Sequence, residues 1–174
     1  MKEAAYNAIE RLWDSTVKAR ALCPCADSNA IGLNGYNSSE WYQTRGAIYF
    51  VNLAAPLKLE DVQELNHIGR FINRSFVISM MAVLEKHKVV LYKENPDRSK
   101  NGGNHVQLTK WLRNRFAHGE YEYKADNTRH VETSALMKRL FPDRSASSPN
   151  FGIPIDTVLE PLKDGVLAYI RAAP

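Results

Sequence analysis

Residues 60–91 read EDVQELNHIGRFINRSFVISMMAVLEKHKVVL and carry the strongest structural signal in the chain. Apolar side chains return there at steps of three and four residues, which keeps one face of an α-helix apolar. The acidic pair Glu60 and Asp61 at the start and the basic Lys86 near the end suit the helix dipole. We therefore predict one long central helix. Its buried face is formed by Val62, Leu65, Ile68, Ile72, Phe76, Met80 and Val83.

The rest of the chain gives weaker helical patterns of the same kind. Helices are predicted over residues 3–21, from about 39 to 55, over 105–118, over 131–141, and in a last segment that ends near residue 171. Two points stay open, because residues 47–53 alone also fit a strand, and Pro161 either lies in the first turn of the last helix or kinks it. The sequence thus predicts an all-α, single-domain bundle of five to six helices over residues 1–174.

Composition and charge exclude several classes of protein. The net charge is +4, with 23 Lys and Arg against 19 Asp and Glu, a mild basic bias that is compatible with an anionic partner. No apolar stretch of about 20 residues is present, so no membrane span is expected, and the start of the chain lacks the apolar block of a signal peptide. Cys23 and Cys25 have no second ligand pair at a suitable spacing. We therefore expect reduced thiols, no metal, no cofactor and a cytoplasmic location.

The segment from Trp111 to Gly119, WLRNRFAHG, contains the residues that point to chemistry. Arg113 is followed directly by Asn114, and His118 comes four residues later, a pattern expected by chance about 0.03 times in a chain of this composition. Metal-free cleavage of an RNA phosphodiester needs a group that stabilises charge and a group that moves protons, which Arg and His supply. An apolar stripe on the same predicted helix defines its buried side: Leu108, Trp111, Leu112 and Phe116.

Other interpretations of these and nearby residues are open. His118 could simply interact with the end of a helix dipole, and Arg113 could be a solvated surface group. Arg98 and His105 match a looser Arg–His spacing in a Gly-rich loop, which we interpret as coincidence. Two weaker patterns are a possible metal pair, Asp126 with His130, and a set of aromatic residues that fits core anchors better than base-stacking groups. That set is Tyr36, Trp41, Tyr42 and Tyr49.

The Arg-Asn-x3-His run, preceded by an apolar pair and followed by Gly119, resembles the signature of the HEPN superfamily of small helical proteins. The resemblance implies a metal-independent endoribonuclease in which Arg113, Asn114 and His118 are catalytic. It also implies a homodimer in which both motifs line one cleft, with attack by the ribose 2′-OH on the phosphorus. Such proteins often act as toxins or antiviral defence effectors, so an antitoxin protein is an expected partner.

Basic and aromatic residues around the motif are the predicted RNA contacts. The basic residues among them also offset the negative charge of Glu120 and Glu122, which would repel an anionic substrate. The alternative function is a non-catalytic, HEPN-like module that binds nucleotides or another protein. The predicted RNA-binding residues are Lys110, Arg115, Tyr121, Lys124 and Arg129.

Overall fold

A computed structural model describes residues 2–21, 39–44, 47–52, 59–91, 93–118, 128–142 and 158–172. These residues form five helices and one two-stranded hairpin, so the predicted helical bundle is confirmed. The elements in chain order are α1 Lys2–Ala21, β1 Ser39–Thr44, β2 Ala47–Asn52, α2 Leu59–Lys86, α3 Gly103–His118, α4 Thr128–Leu140 and α5 Glu160–Ala172.

The helix that carries the motif has more helical neighbours than any other described helix. α3 packs against α2, α4 and α5, while α1 lies across α2 and α5. The apolar stripe predicted for α3 faces this core, where Leu108 and Leu112 are fully buried and Trp111 and Phe116 are partly buried. The 28-residue α2 is the longest described helix, but the central position predicted for it belongs to α3.

The second half of α2 contributes side chains to the hydrophobic core, whereas apolar side chains of the first half are exposed. Phe76 is buried and meets Trp13 of α1 edge-on, with 5.3 Å between the ring centroids. By contrast, Ile68 is 42% exposed and Phe71 is 71% exposed. The sequence pattern therefore predicted the helix correctly but overstated how much of its apolar face is covered.

α2 ends at Lys86, five residues before the predicted end. The amide of Lys88 donates to the Glu85 carbonyl and the amide of Val89 donates to the Leu84 carbonyl, which is the hydrogen-bond pattern of a Schellman motif. Lys88 has a φ of 54°, in the left-handed region where glycine or asparagine is usual. Because this residue is a lysine, the sequence does not show that the helix ends here.

The helix predicted over residues 39–55 is wrong for the described residues 39–44 and 47–52. β1 and β2 pair there as antiparallel strands, in a register that sets Ser39 opposite Asn52 and Thr44 opposite Ala47. The β2 sequence AIYFVN is rich in β-branched and aromatic residues, which favour strands.

The start of α3 is held by close backbone packing against α5. A Cβ atom on Gly102 would lie 1.9 Å from the carbonyl oxygen of Gly165, and Gly102 has a φ of +78°. A Cβ atom on Gly165 would in turn lie 2.1 Å from the ring of His105. Neither glycine can therefore carry a side chain without moving its neighbours, and this contact fixes where α3 begins.

The other helices fall close to the predicted ranges. Pro161 is the second residue of α5 and lies in its first turn, where its missing N–H costs nothing. Among the helices that the structure describes, none combines the length and the apolar character that a membrane-spanning helix needs. The predictions for Cys23 and Cys25 lie outside the described residues.

Candidate functional site

The Arg–Asn part of the motif forms a side-chain cluster with a carboxylate from α2. Nη2 of Arg113 makes an ion pair and a short hydrogen bond with Oε1 of Glu85. Nη1 of Arg113 donates to Oδ1 of Asn114 at 2.9 Å. The guanidinium group is therefore fixed on two sides, by a neighbouring helix and by the next residue of its own helix.

This cluster is largely withdrawn from solvent. The side chain of Arg113 is 13% exposed and that of Glu85 is 25% exposed. The carboxylate neutralises the guanidinium charge, but it also holds a planar group of five N–H donors in one orientation. Because Oδ1 of Asn114 accepts from Arg113, the further groups that Asn114 offers are the two N–H donors of its amide.

Lys110 is one helical turn before the cluster, and the charges of Glu85 and Arg113 act on its ammonium group. Its Nζ donates to the carbonyl oxygen of Glu94 at 2.6 Å. Burial lowers the pKa of Lys110, and the positive charges of Arg113 and Arg129 lower it further, whereas Glu85 and Glu94 act in the opposite direction. The predicted RNA contact Lys110 thus lies near both Arg113 of α3 and Arg129 of α4.

Arg115 has a structural position that disfavours the RNA contact predicted for it. Its side chain is 7% exposed. Nη1 of Arg115 lies 2.8 Å from Nδ1 of His130 in α4, and since a guanidinium can only donate, the imidazole accepts through Nδ1. Burial and the charge of Arg115 both lower the pKa of His130. The pair therefore joins α3 to α4 inside the protein, with a neutral imidazole.

Arg129 is better placed to meet a ligand. Its guanidinium carbon lies 5.1 Å from the centroid of the Trp111 ring, and Nη1 lies 3.5 Å from the carboxylate of Glu132. The other predicted groups lie outside the described residues: Tyr121, Lys124 and the side chain of His118. His118 is the last residue of α3, which is the helix end predicted from the sequence.

The competing Arg98–His105 match does not form a comparable cluster. Nε of Arg98 donates to Oδ1 of Asn104 at 2.9 Å, while the His105 ring packs edge-on to Phe141 with 6.3 Å between centroids. Burial lowers the pKa of His105, which favours its neutral form. His105 thus packs against Phe141, just after α4, and against Gly165 of α5.

The proposed metal pair gains no support. Asp126 lies outside the described residues, and His130 is engaged with Arg115. Within the described residues, no group of three or more His, Cys, Asp or Glu side chains is placed to hold a metal ion.

A cleft between α3, α4 and the loop before α3 was not predicted from the sequence. Its volume is about 490 Å³, and it lies beside Arg129. In the sequence, Arg98 belongs only to a loose Arg–His spacing and Arg139 belongs to no motif, so the linear pattern does not show that they line one cleft. The main residues that line the cleft are Arg98, Gln107, Trp111, Arg129, Glu132 and Arg139.

No family model, curated protein or solved structure matches this chain.

Proposed function

We propose that the protein is a HEPN-like, metal-independent endoribonuclease. The observation that carries the proposal is the contact between Arg113 and Asn114, in which Nη1 donates to Oδ1 at 2.9 Å while Glu85 holds the opposite nitrogen. The two adjacent motif residues thus form one polar unit near the end of α3, one turn before His118. A guanidinium held in this way suits the oxygens of a phosphate group.

The proposed reaction moves one proton to and one proton from the RNA. A base takes the proton of the ribose 2′-OH, the 2′ oxygen attacks phosphorus, and the bond from phosphorus to the 5′ oxygen breaks. An acid then protonates the departing 5′ oxygen. One imidazole with a pKa near 6.5 performs either task but not both at once, so we propose a homodimer in which two copies of His118 share them.

The remaining roles follow from the positions of the charged groups. Arg113 stabilises the extra negative charge on the five-coordinate phosphorus, and Glu85 positions Arg113. Asn114 donates from its amide to a phosphate oxygen or orients the His118 ring. Lys110 and Arg129 contact the RNA backbone. In a cell, such an enzyme acts as a toxin or an antiviral defence effector, restrained by an antitoxin protein.

The proposal is tested by incubating purified protein with structured and unstructured RNAs, with and without EDTA. Cleavage that survives EDTA and falls by about 10²-fold or more in His118→Ala and in Arg113→Ala is the expected result. Matched controls are His67→Ala and Arg70→Ala, exposed residues of α2, which leave the rate unchanged. Activity that EDTA removes and a divalent ion restores would contradict the proposal.

A second candidate function is a non-catalytic module that binds nucleotides or a protein. One observation favours it: the Arg113 charge is already neutralised by Glu85. Expression in bacteria separates the two candidates. Wild-type protein that stalls growth while His118→Ala does not supports catalysis, and equal tolerance of both proteins supports the binding module.

A further inference from the structure

The cleft beside α4 lies apart from the Arg113 cluster. Gln107 and Trp111 of α3 line it, and they are four residues apart on one side of the helix. Trp111 and Arg113 are two residues apart, about 200° around an ideal helix, so they face nearly opposite directions. At about 490 Å³, the cleft is within the range of roughly 300–1,000 Å³ that is usual for small-molecule sites.

The charges in the cleft favour an anion. Three arginines line it, Arg98, Arg129 and Arg139, together with one acidic residue, Glu132, so the lining residues carry a net charge of +2. A terminal phosphate group carries about −1.5 to −2 at neutral pH and offers three acceptor oxygens. Arginine matches such oxygens with paired N–H donors. The cleft thus has the charge and the donor type that a phosphate requires.

The cleft also offers an aromatic surface and an amide nitrogen that has no acceptor among the residues that the structure describes. The Arg129 guanidinium lies over the Trp111 ring, and nucleic-acid bases stack on aromatic rings and on guanidinium planes alike. Gln107 is 2% exposed, and its Nε2 makes no hydrogen bond to the described part of the chain. A buried amide of this kind is stabilised when an acceptor reaches it, and bases and ribose carry such acceptors.

The side of the cleft formed by residues 94–100 is held in place by hydrogen bonds. Arg98 is oriented by its bond to Asn104, at 2.9 Å. The amide of Asp97 donates to the hydroxyl of Tyr169 in α5 at 3.2 Å, and the hydroxyl of Ser99 donates to Oδ1 of Asp97 at 2.6 Å. Arg98 is therefore positioned before any ligand arrives.

We propose that this cleft binds a nucleotide, with the phosphate against the three guanidinium groups and the base at Trp111. The nucleotide is either free or one unit of an RNA strand, because both sources present the same chemistry. The proposal does not depend on RNA cleavage, since the cleft contains none of Arg113, Asn114 and His118. The cleft shares Arg129 with the proposed RNA contacts, so the binding test uses a substitution at Arg139 instead.

Calorimetric titration of the full chain with three probes tests it: ADP, inorganic pyrophosphate, and a 5′-phosphorylated tetranucleotide carrying 2′-O-methyl groups. The methyl groups prevent attack by the 2′ oxygen, so failure of this experiment is distinct from failure of the nuclease proposal. Arg139→Glu is expected to weaken binding of ADP or of the tetranucleotide by about tenfold or more. The matched control is Lys138→Glu, which makes the same charge change at an exposed neighbour outside the cleft and shifts affinity by less than about twofold.

Each outcome decides the proposal. Binding of ADP alone, or of the tetranucleotide alone, with the expected loss in Arg139→Glu supports it and identifies the source of the nucleotide. Pyrophosphate that binds as tightly as ADP would overturn it, because the nucleoside would then contribute nothing. Equal weakening in both variants, or no binding of ADP and tetranucleotide at millimolar concentration, would overturn it as well. Melting temperatures of the two variants confirm that both are folded.

Discussion

The first turn of α3 and its last two turns are held in place by different means. At the start, Gly102 meets the backbone of α5 so closely that no side chain fits. Toward the end, two arginines hold the helix, since Arg113 pairs with Glu85 of α2 and Arg115 pairs with His130 of α4. Backbone contacts cannot be exchanged for others, whereas polar side chains can change partners. The end of α3 is therefore the part of this helix that suits a ligand or a reaction.

The largest effect on stability is expected at the glycine contact. In Gly102→Ala, the new methyl group would meet the Gly165 carbonyl at 1.9 Å, and the φ of +78° disfavours any residue with a Cβ atom. We expect the free energy of unfolding to fall by about 3 kcal/mol, measured by urea denaturation. Asn101→Ala, at an exposed neighbouring position, is the control and changes it by less than about 0.5 kcal/mol. Equal effects of the two substitutions would contradict the tight contact.

A smaller effect is expected at the arginine pair on the α2 side. Glu85→Gln keeps the shape of the side chain but removes the charge that faces Arg113. Because this pair is partly buried, we expect the free energy of unfolding to decrease by about 1–2 kcal/mol. Glu64→Gln makes the same change at an exposed position of α2 and serves as the control. If the two variants are equally stable, the ion pair does not hold the end of α3.

The smallest effect is expected on the α4 side, as a dependence on pH. Burial and then the charge of Arg115 lower the pKa of His130, so in the folded protein it lies below the value of about 6.5 in the unfolded chain. Between these two values the unfolded chain binds more protons, so the free energy of unfolding falls as the pH drops below about 6.5. Burial of His105 acts in the same direction.

Denaturation of His130→Asn at several pH values checks this origin of the pH dependence. The variant keeps a polar group beside Arg115 but removes the ionisable ring. We expect its stability to change less between pH 7 and pH 5 than that of the wild type, with His105 accounting for part of what remains. An unchanged slope would show that the contact between Arg115 and His130 does not control the pH dependence.

The parts of the fold that the sequence predicted well are those in which one helical face repeats over many turns. α1 was predicted over 3–21 and lies at Lys2–Ala21, and α3 was predicted over 105–118 and lies at Gly103–His118. The hairpin was missed because its strands are short, six residues each, and a short apolar run fits either type of structure. The end of α2 was missed because Lys88 has a left-handed backbone conformation, which a lysine rarely adopts.

The candidate site was likewise predicted in part. The sequence predicted that Arg113 and Asn114 lie together on one helix, and it predicted the apolar side of that helix. The sequence did not predict the side-chain partner of either arginine, because Glu85 is 28 residues from Arg113 and His130 is 15 residues from Arg115. The cleft beside α4 was missed for the same reason, since its arginines come from a loop and from α4 and meet only in the folded chain.

We propose that the Arg-Asn-x3-His motif cleaves RNA without a metal, and the chemistry of the product ends tests this most directly. A short RNA of known sequence is incubated with the wild-type protein and with His118→Ala in EDTA, and the fragments are identified by mass spectrometry. We predict a 2′,3′-cyclic phosphate and a 5′-OH at each cut made by the wild type, and no such cuts by His118→Ala. Fragments that end in 3′-OH and 5′-phosphate, or equal cleavage by both proteins, would contradict the claim.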